Sequence, residues 1–280
     1  MFKIIERKQF SSDVFMVKVH APDIARKRKA GQFIIYRVDE DGERIPLTVA
    51  DADARAGWIM LVFQAVGKST MKLANLNAGD SILDLVGPLG QPTHIEKMGG
   101  AVVCIGGGIG IAPVYPIAQA HHKAGNRVIS ILGARTKELL IMEDMMRKVS
   151  DEVLLCTDDG SYGEKGLVTD VLKKLVARGE KIAEVIAIGP AIMMKFVALT
   201  TKEFNIPTLV SLNAVMIDGT GMCGGCRVTV GGETRFVCVD GPEFDGHKVN
   251  FDELMSRQRT YLDQEKMCRE QYQHQCKLGR

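Results

Sequence analysis

The longest apolar stretch of the chain, residues 101–118, admits two structures: a helix crossing a membrane, or a buried strand turning directly into a buried helix. Gly106, Gly107, Gly108, Gly110, Pro113 and Pro116 lie inside it. These residues break a spanning helix. They suit a strand, a tight glycine turn and a helix that takes Pro113 in its first turn. The chain therefore contains a β-to-α crossing, the unit from which parallel sheets are built.

The texture around that crossing extends the argument. Between residues 99 and 207, buried runs at 101–105, 127–132, 152–157 and 184–188 alternate with amphipathic segments such as 168–178. That alternation predicts a doubly wound α/β domain with its parallel sheet covered on both faces. Residues 1–98 read differently. Short alternating runs (Phe15, Val17 and Val19; Phe33 and Ile35; 59–63; 82–86) are separated by turn clusters such as Asp41-Gly42 and Asn77-Ala78-Gly79-Asp80, which predicts a small antiparallel β-barrel. From residue 208 to 280 the chain is rich in glycine and cysteine and then charged. Leu254/Met255, Tyr261/Leu262, Cys268 and Tyr272 recur there as a helical stripe, which fits docking on the chain itself or on a partner equally well. With 280 residues, 46% of them hydrophobic, the chain has enough apolar material for two or three such domains.

Charge and termini narrow the function classes. Thirty-six Lys and Arg against 34 Asp and Glu leave a net charge of +2 without a basic stripe, which argues against nucleic-acid binding. The opening residues Met1 to Lys8 lack the apolar core of an export signal, so the expectation is a cytoplasmic protein with no membrane span. In that setting, clustered cysteines are more often metal ligands than disulfides.

The densest cluster is Asp218-Gly219-Thr220-Gly221-Met222-Cys223-Gly224-Gly225-Cys226, followed by Cys238. Thiolates separated by two residues can grip one iron, and glycines let backbone N–H groups approach the sulfides. Asp218 sits where the first cysteine of a C-x4-C-x2-C array would fall. A 2Fe-2S cluster, a structural zinc, and unligated cysteines in a glycine turn all remain open on spacing alone. The run Gly106, Gly107, Gly108, Gly110, Ala112, Pro113 suits a dinucleotide pyrophosphate at a helix N-terminus, though Pro113 replaces the third glycine of the strict Rossmann spacing. Two further turns, at Asp158-Asp159 and at Gly189-Pro190 with Met193, follow later strands and can line the same crevice. In the barrel, Arg44, Pro46, Leu47 and Thr48 offer a cation and a hydroxyl. Gly67, Ser69 and Thr70 offer small donors at a helix start, although an exposed turn and an N-cap explain these two groups as well. His121-His122 is read as a solvated pair, and the methionines as core filler.

Taken in order, these motifs resemble the ferredoxin-NADP reductase superfamily along essentially the whole chain, in the branch with a C-terminal 2Fe-2S domain that includes dihydroorotate dehydrogenase electron-transfer subunits. The stretch from Ser211 to Cys226 is very similar to the small-subunit family of the electron-bifurcating NADH-dependent reduced ferredoxin:NADP oxidoreductases, also called sulfide dehydrogenases. The resemblance implies Asp218, Cys223, Cys226 and Cys238 as cluster ligands and FAD along residues 44–48 and 67–70. It also implies NAD(H) along residues 106–113, at Asp158 and Asp159, and along residues 189–193. A larger partner subunit with a second FAD and 4Fe-4S clusters, handling NADPH and ferredoxin in a heterodimer, is implied as well. One departure concerns the flavin motif R-x-Y-S/T: Ile45 occupies the arginine's place, so Thr48 near flavin N5 is the firmer assignment than Arg44 on the phosphates. Arg135, after the second strand of the α/β domain, stands where a 2′-phosphate can be recognised, so NADP(H) stays open beside NAD(H). The competing readings are a dihydroorotate dehydrogenase electron-transfer subunit, which cysteine at position 218 would have favoured, and a zinc-stabilised binding module without redox activity.

Overall fold

The computed structural model describes residues 1–278. Seven strands form the N-terminal sheet: β1 (Phe2–Gln9), β2 (Val14–His20), β3 (Phe33–Arg37), β4 (Ile45–Asp53), β5 (Trp58–Gln64), β6 (Ser81–Ile82) and β7 (Asp84–Leu89). They are antiparallel throughout, in the order β6-β1-β2-β5-β4-β3-β7. Because β6 and β7 are almost continuous in sequence, the sheet curls into a nearly closed barrel, with helices α1 (Pro22–Lys27) and α2 (Lys68–Ala74) beside it.

The period-2 pattern of β2 has two apolar faces rather than one. Phe15, Val17 and Val19 point into the barrel core, as the alternation predicts, beside Ile59, Leu61 and Phe63. Val14 and Met16 point outward and join Ala50, Met60 and Val62 in a patch packed against the next domain. The register pairs Met16 with Val62 and Lys18 with Met60, which keeps that patch on one surface.

The second sheet comprises β8 (Ala101–Gly107), β9 (Val128–Ala134), β10 (Glu152–Thr157), β11 (Glu164–Lys165), β12 (Ile182–Ile188), β13 (Thr208–Ser211) and, beyond the β14 (Arg227–Val230) and β15 (Glu233–Phe236) hairpin, β16 (Glu243–Asp245). Its order is β11-β10-β9-β8-β12-β13-β16, parallel except for the antiparallel β16. Helices α3 (Ile111–Lys123) and α4 (Glu143–Arg147) cover one face, and α5 (Val168–Ala177) and α6 (Ala191–Glu203) the other. The sheet therefore does not stop at residue 207. Strands on either side of the cysteine segment complete its edge, because β12 has a free ladder that only later residues can fill.

After α7 (Val237–Asp240), the tail forms two helices, α8 (Phe251–Gln258) and α9 (Leu262–Leu278), and the heptad-like stripe is divided between them. Phe251 and Leu254 of α8 are buried in the core shared with the parallel sheet, while Tyr272 of α9 accepts a hydrogen bond from Asn75 Nδ2 at 3.1 Å, on the barrel. His121 corrects its sequence reading. It lies on the buried stripe of α3 with Val114, Ile117 and Ala118, fully enclosed, 3.1 Å from Asn126 Nδ2 through Nδ1. His122 is the solvated member of the pair, 3.8 Å from Asp151. Among the described residues, no helix is long and apolar enough to cross a membrane.

One seam between the sheets carries acid. The Thr93 hydroxyl donates to Glu243 Oε1 at 2.6 Å. Burial pushes the Glu243 carboxyl up to about 7 against the Thr93 hydrogen bond, with Glu184 adding to the rise. Burial likewise pushes Glu184 up to about 7, with His94 opposing and Glu96 adding. A raised acid means that the folded state holds its proton more tightly than the unfolded chain. Its stabilising effect is therefore complete below about 4.5 and lost as pH climbs through about 7. Between pH 4.5 and 8 the protein is expected to lose about 1–3 kcal/mol from Glu243. Urea midpoints of the wild type and Glu243→Gln across this range check it; parallel curves for the two proteins would refute it.

Candidate functional site

The ends of the parallel strands meet the barrel in a cavity of about 200 Å³. The barrel contributes Phe33, Pro46, Leu47 and Thr48; the α/β domain contributes Pro113 and Ile188. The remaining wall, Ser211 to Ala214 with Met216 and Pro242, comes from the segment leaving β13 and the turn entering β16. Phe33 and Thr48 face each other across the β3–β4 ladder, which presents a ring and a hydroxyl side by side. The cavity combines apolar walls with a few hydroxyl and amide groups. Such a surface suits a flat, amphipathic ring system. Phe33, Ile188, Ser211, Leu212, Asn213, Ala214, Met216 and Pro242 were not expected as site residues, although Phe33 marked a strand and the stretch from Ser211 carried the family resemblance. The position of Ser211 at the carboxyl end of a parallel strand is the signal that could have found this wall.

Beside the cavity runs the switch point of the sheet, between β8 and β12, where chain direction diverges to the two faces. Gly106, Gly107, Gly108 and Gly110 turn the end of β8 into α3, whose first turn holds Ala112 and Pro113. Gly189, Pro190 and Met193 turn the end of β12 into α6. The two turns touch: a Cβ on Gly107 would meet Met193 Sδ at 2.3 Å, and one on Gly110 would meet the Ile188 carbonyl oxygen at 2.2 Å. Asp158 and Asp159 follow β10, two strands from β8. The Asp158 N–H donates to Ala134 O at 3.1 Å and that of Asp159 to Arg135 O at 3.3 Å, so this turn is tied to the end of β9. Hydrogen bonds from the Ser161 hydroxyl and N–H hold the Asp159 carboxyl below its ordinary range.

The remaining barrel residues lie apart from the cavity lining. The Thr70 hydroxyl closes the start of α2, donating to Gly67 O at 3.0 Å and accepting from Gly67 N at 3.1 Å. The Ser69 hydroxyl donates to Glu43. Arg44 directs its guanidinium to the Ile217 carbonyl, 3.2 Å away, at the edge of the cysteine loop.

In that loop the four predicted donors form two pairs. The Cys223 thiol lies 3.1 Å from Asp218 Oδ1 and is exposed. Cys226 and Cys238 are buried, 3.3 Å apart. Gly219 and Gly221 hold φ of 75° and 90°, left-handed values that wrap the backbone around the first pair. Backbone N–H groups already point at sulfur: Gly225 at Cys223 and Cys238 at Cys226, each at 3.4 Å. Hydrogen bonds from the Cys223 thiol, the Thr220 hydroxyl and the Met222 N–H keep Asp218 well below the usual carboxylate range. Burial, and then the Cys226 thiol, push the Cys238 thiol up to about 12. A thiol pair in such a setting gives up its protons to a metal rather than to water.

Two pairs with convergent N–H donors fit a two-iron cluster, in which each iron takes two protein ligands. A single tetrahedral zinc would need all four donors around one point. Among the described residues no three His, Cys, Asp or Glu side chains converge on a single-ion site.

Two family models match the chain in separate segments. Residues 213–250 match the iron-sulfur cluster binding domain of dihydroorotate dehydrogenase B, and residues 104–199 match the oxidoreductase NAD-binding domain. The chain is 50% identical over 270 residues to a dihydroorotate dehydrogenase B (NAD(+)) electron transfer subunit homolog of Thermotoga maritima, covering 96% of this chain and 95% of that one. It is 51% identical over 272 residues to an uncharacterised protein of Clostridium beijerinckii encoded in the adh 3′ region, covering 95% and 92% of the two chains. Among solved structures, an NADH-dependent reduced ferredoxin-NADP oxidoreductase, described for flavin-based electron bifurcation, superposes with a TM-score of 0.92 at 48% identity, over 97% of this chain and 98% of that one. The chain belongs to the family of dihydroorotate dehydrogenase B electron-transfer subunits and their homologues, within the ferredoxin-NADP reductase superfamily, as an NAD(H)-dependent oxidoreductase subunit with FAD and a 2Fe-2S cluster as its cofactors.

Proposed function

We propose that this chain is the NAD(H)-handling small subunit of an electron-bifurcating NADH-dependent ferredoxin:NADP oxidoreductase. In this reading it works with a larger subunit that carries a second FAD and 4Fe-4S clusters and deals with NADPH and ferredoxin. The observation that carries the reading is Asp218 paired with Cys223, a carboxylate where a fourth cysteine would otherwise stand. The 48% identity to the bifurcating enzyme over almost the whole chain supports it.

FAD supplies the two-electron to one-electron exchange, accepting hydride and releasing electrons singly. This chain's residues bind, orient and shield. Pro46, Leu47 and Phe33 wall the flavin ring, and Thr48 offers its hydroxyl near N5. Gly67, Ser69 and Thr70 are the barrel positions left for a phosphate role, since Arg44 is turned to the Ile217 carbonyl. Gly106, Gly107, Gly108, Gly110, Ala112 and Pro113, with Gly189, Pro190 and Met193, would hold the dinucleotide at the switch point, with Asp158 and Asp159 in the turn after the outer strand β10. Asp218, Cys223, Cys226 and Cys238 would hold the cluster, and the segment from Ser211 leads from the cavity wall to their loop. No side chain need act as general acid or base; positioning is the protein's contribution.

Thr48→Val removes one hydrogen bond at constant shape. NADH-driven flavin reduction is expected to slow about tenfold, the equivalent of one such bond, with flavin content unchanged. Anaerobic stopped-flow absorbance measures it, and an unaltered rate would remove Thr48 from the hydride step.

The overall reading is tested by anaerobic spectra of the purified chain with iron, sulfide, zinc and flavin quantified, before and after NADH or NADPH. Two irons, two sulfides and one flavin, bleached faster by NADH, are expected; zinc without flavin would refute the assignment. The second reading, a dihydroorotate dehydrogenase partner, is favoured by the name of the Thermotoga maritima relative. Reconstitution with each type of larger subunit separates them. Dihydroorotate-dependent NAD reduction supports the second, and NADPH-dependent ferredoxin reduction coupled to NAD reduction supports the first.

A further inference from the structure

Three arginines converge on carbonyl groups of the cluster loop from three parts of the chain. Arg44, from the barrel, donates to Ile217 O at 3.2 Å, immediately before Asp218. Arg227, at the start of β14, donates to Gly224 O at 3.3 Å, and Arg257, near the end of α8, donates to Gly225 O at 3.0 Å. Gly224 and Gly225 are the two residues between Cys223 and Cys226, so two guanidinium groups meet that gap and the third meets the residue before Asp218. Arg44 reaches across 173 residues of sequence and Arg257 across 32, so neither contact follows from local chain geometry.

The anchoring of Arg257 is the most rigid of the three. Its helix is capped by Asn250 Oδ1, which accepts from Glu253 N at 3.1 Å, and is held to α6 by the Lys195–Asp252 ion pair at 2.7 Å. Phe251 and Leu254 bury its inner face. The neighbouring Gln258 donates from Nε2 to both Asn213 O and Asn213 Oδ1, at 3.0 and 2.8 Å. Asn213 lines the flavin cavity. One turn of α8 thus grips the flavin wall with one residue and the cluster loop with the next.

We propose that Arg257 and Arg44, with Arg227, are positioning residues that tune the cluster: they fix the ligand loop against the flavin wall and favour its reduced state electrostatically. The inference rests on the assignment of a 2Fe-2S cluster to Asp218, Cys223, Cys226 and Cys238. With two ferric ions, two sulfides, three thiolates and one carboxylate, the oxidised cluster is a dianion. Accepting one electron from the flavin makes it a trianion. Cations facing the loop stabilise the trianion more than the dianion, which raises the cluster potential. Arg257 is half-buried and Arg44 exposed, so Arg257 has the larger effect.

The test is an EPR-monitored redox titration, with dithionite as reductant, of the full-length holoprotein and its Arg257→Gln, Arg257→Lys, Arg44→Gln and Arg44→Lys variants. Glutamine keeps a donor and loses the charge; lysine keeps both. For Arg257→Gln the reduced-to-oxidised ratio at fixed potential is expected to fall about tenfold, 59 mV for one electron. For Arg44→Gln a fall of about twofold is expected. The lysine variants should stay near wild type, and the flavin potential should not move. Gln and Lys variants with the wild-type cluster potential at full iron and sulfide content would overturn the assignment, as would loss of iron from both alike. Loss of iron from Gln with retention in Lys would support it. A wild-type chain lacking two irons and two sulfides would instead remove the cluster reading itself, so the two failures are distinguishable.

Discussion

Replacing Cys238 with serine is expected to leave a yellow protein that NADH still reduces but that holds almost no iron or sulfide. Cys238 is 2% exposed and lies 3.3 Å from Cys226, on the short helix α7 that closes the loop. Their environment is built for the pair: a Cys238 N–H on Cys226 sulfur and enclosure by the core that contains Val237 and Val228. Serine is shorter, harder and far less acidic than a thiol, so the inner iron would lose half of its protein donors in a site closed to replacement ligands. Cluster content is expected to drop at least tenfold, a loss in proportion to the free energy that metal ligation contributes to such sites. The cavity proposed for flavin takes its walls from Phe33, Leu47, Thr48 and Ile188, none of them hydrogen-bonded to Cys238, and so hydride entry should persist while one-electron delivery stops. Iron and sulfide per chain, with stopped-flow reduction by NADH, measure both halves. Full cluster content in the serine variant would show that Cys238 is not a ligand. Asp218→Cys provides the complementary case, since a thiolate there should keep the cluster and change its spectrum.

The Gly110→Ala variant is expected to lose about 3 kcal/mol of stability or more, together with most of its NADH affinity. Gly110 has φ of −62°, a value that alanine adopts freely, so backbone preference is not the issue. Space is: the added methyl would stand 2.2 Å from the Ile188 carbonyl oxygen, 2.6 Å from its carbon and 2.8 Å from Gly189 Cα. All three are main-chain atoms of the neighbouring strand end. They can move only by separating β8 from β12 at the switch point, which is where the dinucleotide is proposed to bind. Gly107→Ala is the informative control. Its methyl meets Met193 Sδ, the end of a flexible side chain that can swing aside, so its cost should be much smaller. Urea unfolding and NADH titration of the two variants check the order. Equal behaviour would mean that the close approach of the turns does not matter to either property.

The parts of this fold that were legible in sequence are those set by local periodicity. The alternation of Phe15, Val17 and Val19 marked a barrel strand, and the runs at 101–105 and 184–188 marked buried parallel strands, because side-chain direction repeats every two residues and burial on both faces removes the polar partner. The two outward residues Val14 and Met16 were not legible as an interface, since nothing local says what covers them. His121 was misread for the same reason: its place on the buried stripe of α3 depends on how far that helix is covered, and the turn that carries Asn126 folds back onto it. The boundary near residue 207 failed to stop the sheet because β13 and β16 are short, and strands of four and three residues carry little period of their own.

The candidate site divides along the same line. Spacing singled out Asp218, Cys223, Cys226 and Cys238 as candidate donors, which the family resemblance rather than spacing assigned to a cluster, and it singled out the glycine turns at 106–110 and 189, because close backbone approach and paired ligands require particular residues a fixed few positions apart. Only the tertiary structure decided that Asp218 lies beside Cys223 and Cys226 beside Cys238, that residues 211–214 and 216 wall the cavity proposed for flavin, and that Arg44 and Arg257 both reach the cysteine loop. Those contacts join segments that are far apart along the chain. They exist because β13 and β16 bring the cysteine segment back to the edge of the parallel sheet, where the barrel and α8 can both reach it.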